Sequence, residues 1–197
     1  MKEAHAEGAV RSPELMSRDD TALLVVDVQE KLVRLLPDHE RLIWNVGRLV
    51  RAAQLLGLPV LGTEQYPQGL GGTVAELATL LGSCEAKTAF SSASCQGIST
   101  QLADRGVSRV CLAGMEAHVC IQQSAYDLLA AGYRVYLPVD ALGSRYAIDY
   151  QTALRRLESA GAVLTTVEAA MFEWCQDSAA PQFKDISKLV RETGPTS

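Results

Sequence analysis

Three side chains in this sequence are reactive types at places where a sheet protein can use them. Asp27 closes the apolar run LLVVD, Lys87 stands at the entrance to KTAF, and Cys120 follows the turn in AGMEAHVC. A carboxylate can take a proton, a thiol that has lost one is a nucleophile, and a nearby ammonium favours both negative charges. Cys120 opens a helical pattern, where the positive end of the helix dipole would lower the thiol pKa and favour the thiolate. Each residue also has an ordinary reading. Free cysteines are mostly small buried apolar residues, and Cys84, Cys95, Cys111 and Cys175 are read so. An acid after four apolar residues can cap the next helix or bind a metal, and a lysine is by default solvated. His118 offers a competing Cys-His dyad, but residues two apart on a helix point to different sides.

Hydrophobic patterning supplies the elements that must position these residues. TALLVVDVQ reads as a central strand buried on both faces, and Asp38 to Leu56 as a helix stopped by Gly57. LPVLGTE is a strand, Tyr66 to Gly72 a loop, TVAELATLL a short helix, and Lys87 to Phe90 a strand. Ser99 to Arg105 reads as helix, SRVCLAG as strand, Ala117 to Ala131 as helix and YRVYLPVD as strand. Ala147 to Ala160 is then helical, GAVLTTV is the last strand, and QFKDISKLVRE forms a tail helix. This alternation predicts an α/β fold, a three-layer α/β/α sandwich around a mostly parallel six-stranded sheet. Residues 1–20, polar and holding Gly8 and Pro13, read as a flexible arm before a single domain over 21–192. In such a sheet ligands bind beyond the carboxyl ends of the strands, where Asp27 and Cys120 are placed.

Bulk composition narrows the function. The 197 residues carry 18 basic and 23 acidic side chains, a net charge of −5, with no basic block for a phosphate backbone, so nucleic acid is not expected as a partner. No apolar run approaches the roughly 20 residues that span a bilayer, and the first residues lack the apolar stretch of a secretory signal. A cytoplasmic protein with no membrane partner is expected. Five cysteines without a C-x-x-C pair suggest neither a disulfide framework nor a zinc knuckle.

VVDVQEKL, EAKTAF and AGMEAHVCIQQSAYDLL together resemble the three signature segments of the isochorismatase-like cysteine hydrolases, in order and spacing, across Thr21 to Val167. TEQYPQGLG, the DAxxSR pattern at Asp140 to Arg145, and PQFKDI are similar to the isochorismatase domain-containing proteins within that family. The resemblance implies a triad with Asp27 as base, Lys87 as electrostatic partner and Cys120 as nucleophile. It implies oxyanion donors in the backbone N–H groups of Glu116 and Cys120, and a cis peptide between Met115 and Glu116. Gln29, Tyr66, Phe90 and His118 are expected around a small-molecule pocket, although Tyr66 and Phe90 could be packing residues and Gln29 a turn cap. Nicotinamidase-like members bind a metal through an Asp-x-His and a further His where this chain has Thr63, Glu64, Gln65 and Tyr66, so neither metal nor cofactor is expected. Isochorismatase proper lacks the nucleophilic cysteine, which turns the expectation toward an amide, ureide or related C–N bond opened through a thioester. A homo-oligomer is also implied. Two other classes compete. A non-catalytic binding or scaffolding protein could retain the fold, but the triad is complete. A dinucleotide-binding oxidoreductase would need G-x-G-x-x-G where DVQEKL stands.

Overall fold

The computed structural model describes residues 11–195. Its first strand, β1 (Thr21–Val26), is buried along its whole length, as its unbroken apolar run requires of a strand covered on both faces. After it come α1 (Glu30–Val33), α2 (His39–Leu56), β2 (Val60–Gln65), α3 (Pro67–Leu70), α4 (Ala75–Leu81) and β3 (Glu85–Lys87). The chain continues through α5 (Gln96–Asp104), β4 (Arg109–Met115), a wide π-type turn over Ala117–Ile121, α6 (Gln122–Ala130), β5 (Arg134–Pro138) and β6 (Leu142–Gly143). It closes with α7 (Ala147–Ser159), β7 (Val163–Thr165), α8 (Val167–Cys175) and α9 (Phe183–Val190).

The sheet runs β3-β2-β1-β4-β5-β7, every pairing parallel, with the two-residue β6 added beside the end of β4. Six strands were expected, and β6 is the seventh, too short to show as a pattern. Strand order reverses direction between β1 and β4, which opens a crevice beyond their carboxyl ends. Alternate residues of β1 feed opposite layers. Leu23 and Val25 pack with Val46 and Leu49 of α2, Leu77 of α4, Trp174 of α8 and Ile186 of α9. Leu24 and Val26 pack with Leu102 of α5, Ala125 and Leu128 of α6, and Leu157 of α7. Each such fully buried leucine contributes roughly 2 kcal/mol.

Three expectations are corrected. Tyr66 to Gly72 holds the short helix α3 rather than only loop, with Pro67 in its first turn where a missing N–H is harmless. α8 has no counterpart in the sequence reading. Its buried residues Val167, Ala170, Met171, Trp174 and Cys175 keep helical spacing, but the exposed apolar Ala169 and Phe172 blur that period in the sequence, and Thr166 caps the helix by accepting from the Ala169 N–H. The proposed arm is not loose over residues 11–20. Met16 is wholly buried, its N–H donates to Glu173 Oε2 at 2.8 Å, and Arg11 donates to the Glu173 carbonyl at 2.7 Å. Tyr136 Oη donates to the Glu14 carbonyl at 2.8 Å, and Arg109 to that of Pro13 at 2.9 Å. The rest of the arm, residues 1–10, lies outside the described residues. Among the described residues no helix is long and apolar enough to cross a membrane.

Candidate active site

Register brings the site together. Val26 pairs with Thr63 on one side and Gly114 on the other, so Asp27, the next residue, emerges at the crevice between β2 and β4. Asp27 has φ 54°, a left-handed conformation that aspartate tolerates better than most residues and that turns the chain out of β1. Lys87 ends β3 opposite Gln65. From there its side chain reaches across β2 to Asp27, with Nζ–Oδ2 at 2.7 Å. Lys87 therefore stands at the end of its strand, not at the entrance to one.

Asp27 and Lys87 are almost fully buried, a costly arrangement that stability alone would not favour. Their remaining valences are filled. Thr63 Oγ1 donates to Asp27 Oδ1 at 2.8 Å, while Lys87 Nζ also donates to Gln65 Oε1 at 2.7 Å and to the Phe90 carbonyl at 3.0 Å. Thr63 Oγ1 lies 3.3 Å from Ser92 Oγ, and the Ser92 N–H donates to Ser124 Oγ of α6 at 2.7 Å, which ties the 90–92 loop to the helix that follows Cys120.

Cys120 lies in the π-type turn just before α6, with Sγ 4.0 Å from Gln65 Oε1 and only a narrow opening to solvent. Its thiol is not activated at rest as the sequence suggested. Burial, then the Asp27 charge, push its pKa up to about 12, against the smaller lowering by Lys87. A thiol in this setting stays protonated at neutral pH and needs its proton removed as it reacts. Cys111, wholly buried in β4, is also pushed up by burial, in keeping with a core role. Cys84 differs from the core reading in being only half-buried, under the hydroxyl of Thr73 at 3.6 Å.

The remaining candidates divide. The Met115–Glu116 peptide is cis. The Glu116 side chain is occupied on its outer side, accepting from Arg145 Nε at 3.0 Å and from the Arg145 N–H at 3.2 Å. Gln29 is not free to face a substrate. Its Nε2 donates to the carbonyls of Gln65 and Gly71, and its Oε1 accepts from the Gln65 N–H at 2.7 Å, so it clamps the end of β2. Tyr66 and Phe90 are exposed aromatics on either side of Lys87. The Tyr66 N–H donates to the Lys87 carbonyl, and the Phe90 carbonyl accepts from its ammonium. His118 is engaged by Ser144 Oγ at 3.1 Å and lies 3.9 Å from Asp149, so its ring turns to the α7 side rather than to Cys120. A cavity of about 320 Å³, bordered by Leu36, Leu42, Leu142, Ser144, Arg145 and Tyr150, adjoins the site through Arg145 but is not lined by Asp27, Lys87 or Cys120.

Gln65 and Thr63 were missed as site residues. The resemblance marked their positions only as those where nicotinamidase-like members carry metal ligands, and beyond that their signal is two neutral polar side chains on alternate residues at the end of a strand. Among the described residues no three His, Cys, Asp or Glu side chains gather closely enough to share a metal ion. Thr63 and Gln65 are engaged with Asp27 and Lys87, and Glu64 accepts from Thr73.

An isochorismatase domain model matches residues 21–169. Isochorismatase domain-containing protein 2 of Homo sapiens is 39% identical over 178 residues, covering 90% of this chain and 86% of that protein. The solved structure of MAR1 ribonuclease from Caenorhabditis elegans is 38% identical, with a TM-score of 0.86 over 92% of this chain and 95% of that one. The YcaC gene product from Escherichia coli, solved as an octameric hydrolase of unknown specificity, has a TM-score of 0.82 at 23% identity, over 91% of each chain, a likeness of fold alone. The exclusion of nucleic acid is corrected by the ribonuclease named among these structures. Net charge describes the surface as a whole, and a cleft can act on a nucleic acid with a few local contacts that the sum conceals.

Proposed function

The chain belongs to the isochorismatase domain family of hydrolases, and from that premise we propose that it is a cysteine hydrolase opening a C–N bond of a small amide or ureide through a thioester. The observation that carries the reading is the convergence at one buried point of a carboxylate, an ammonium bound to it at 2.7 Å, and a thiol whose opening to solvent is narrow. In the proposed reaction Asp27 takes the thiol proton as Cys120 Sγ attacks the carbonyl carbon. The displaced electron pair moves to the oxygen, toward the backbone N–H groups of Glu116 and Cys120, an arrangement typically worth about 3 kcal/mol per donor in the transition state. Collapse breaks the C–N bond, and the amine or ammonia leaves with the proton held by Asp27. Water then attacks the thioester, gives its proton to Asp27, and the acid product departs as the proton returns to sulfur. Lys87 spends its donors on Asp27, Gln65 and Phe90, so its part is a fixed positive charge beside the base.

Ammonia release from a panel of small amides and ureides tests the reading, with the Cys120→Ala variant as control. Turnover that vanishes in the variant is the expected result. Undiminished turnover in it would overturn the assignment. The ribonuclease name of the 38%-identical Caenorhabditis elegans structure supports a second reading, an RNA substrate. A labelled single-stranded RNA incubated with the same two proteins and resolved by size decides it, since Cys120-dependent cleavage would favour the second reading.

A further inference from the structure

We propose that Gln65 is a positioning residue that draws one N–H of the Lys87 ammonium to itself and sets a polarised oxygen beside the Cys120 sulfur, so that the thiol keeps its proton until a substrate arrives. The proposal rests on the reading of Cys120 as nucleophile and adds a residue that this reading does not assign. An ammonium has three N–H donors. Here the three shortest contacts go to Asp27 Oδ2 at 2.7 Å, Gln65 Oε1 at 2.7 Å and the Phe90 carbonyl at 3.0 Å. Those oxygens compete with sulfur for the ammonium's donors. The same Gln65 oxygen lies 4.0 Å from Cys120 Sγ, at the outer limit of a sulfur hydrogen bond, and so faces both the cation and the thiol.

The oxygen cannot exchange places with the amide nitrogen without loss. Gln65 Nε2 donates to the Thr88 carbonyl at 2.7 Å, and a flip would set an oxygen against that carbonyl and an N–H against an ammonium. The backbone of Gln65 is fixed as well, because Gln29 accepts from its N–H at 2.7 Å and donates to its carbonyl at 3.0 Å. Two glutamines thus lock one acceptor in place at the end of β2. A negatively polarised oxygen beside sulfur disfavours thiolate, and a released ammonium donor would favour it.

Opposite substitutions give opposite expectations. Gln65→Met keeps the volume but frees an ammonium donor, and alkylation of Cys120 by iodoacetamide at pH 9 should rise at least about threefold. Gln65→Glu keeps an acceptor for Lys87 and adds a charge beside sulfur, and alkylation should fall at least about threefold, half a pKa unit in each direction. Peptide mass spectrometry reads Cys120 apart from the other cysteines, and thermal melts confirm that each variant is folded. General loosening of the site would speed both variants. Same-direction changes, or no change in either, would overturn the proposal. The readout needs no substrate, so its failure is separate from a failure of the amide screen. On any substrate found there, Gln65→Met should lower kcat at least about tenfold with KM held within about threefold, the mark of a group that acts after binding.

Discussion

Cys120 sits beside a carboxylate and an ammonium yet holds its proton, because burial and the Asp27 charge outweigh Lys87 and push its pKa up to about 12. At pH 7 the protonated thiol then dominates. Iodoacetamide labelling of Cys120 should therefore climb about tenfold per pH unit from 7 to 10 without a plateau. A plateau near neutrality would mean an activated thiolate. Lys87 lowers the thiol pKa, so Lys87→Met should slow this labelling further. It also leaves the Asp27 charge buried without its partner, which urea unfolding should register as a loss of about 3–5 kcal/mol. Asp27, Lys87 and Cys120 were legible as reactive types, and the resemblance joined them. Gln65 was not, since the resemblance marked its position only as one where related members carry a metal ligand, and a neutral amide shows no other role until the lysine opposite it is seen to turn inward.

The elements that hold these residues depend on close approach at the point where strand order reverses. Gly114 of β4 has φ 121°, and a Cβ there would run into the carbonyl oxygen of Val26, one residue before Asp27. Gly114→Ala should cost at least about 3 kcal/mol and lower turnover with it, because relief of the clash must displace β1 or β4. A variant with an unchanged Tm would show that the strands have slack. Further from the site, Arg48 of α2 donates to the carbonyls of Leu189 and Val190 and so fastens the end of α9. Arg48→Ala should lower stability by about 2 kcal/mol in thermal or urea unfolding while kcat stays within about twofold. Strands such as β1 and β4 and the helix α2 were legible because pattern, length and stop signals agreed. α8 was not, because apolar residues on several sides erased its period, and β6 is shorter than any period. The expected helix from Ala117 proved to begin with a wider turn, a difference of backbone hydrogen bonding that residue types do not encode.

At the scale of the molecule, both layers bury their residues against one sheet, and we propose that residues 21–192 unfold as one unit, with a single urea transition by fluorescence and circular dichroism. Residues 11–20 belong with it energetically. Removing residues 1–20 should cost about 2–4 kcal/mol more than removing residues 1–10, because Met16 is wholly buried and Arg11 and Glu173 lose their bonds. Equal stability of the two truncations would show that this packing contributes little. Asp27, Lys87 and Cys120 sit at one end of this body, at the crevice beyond β1 and β4, and a covalent event is expected there. Intact-protein mass spectrometry of enzyme quenched in acid during turnover of its best amide tests that event most directly. Expected is a mass gain equal to the acyl group, mapped to the peptide that contains Cys120 and lost in Cys120→Ala. Turnover without an adduct, and undiminished in that variant, would contradict it.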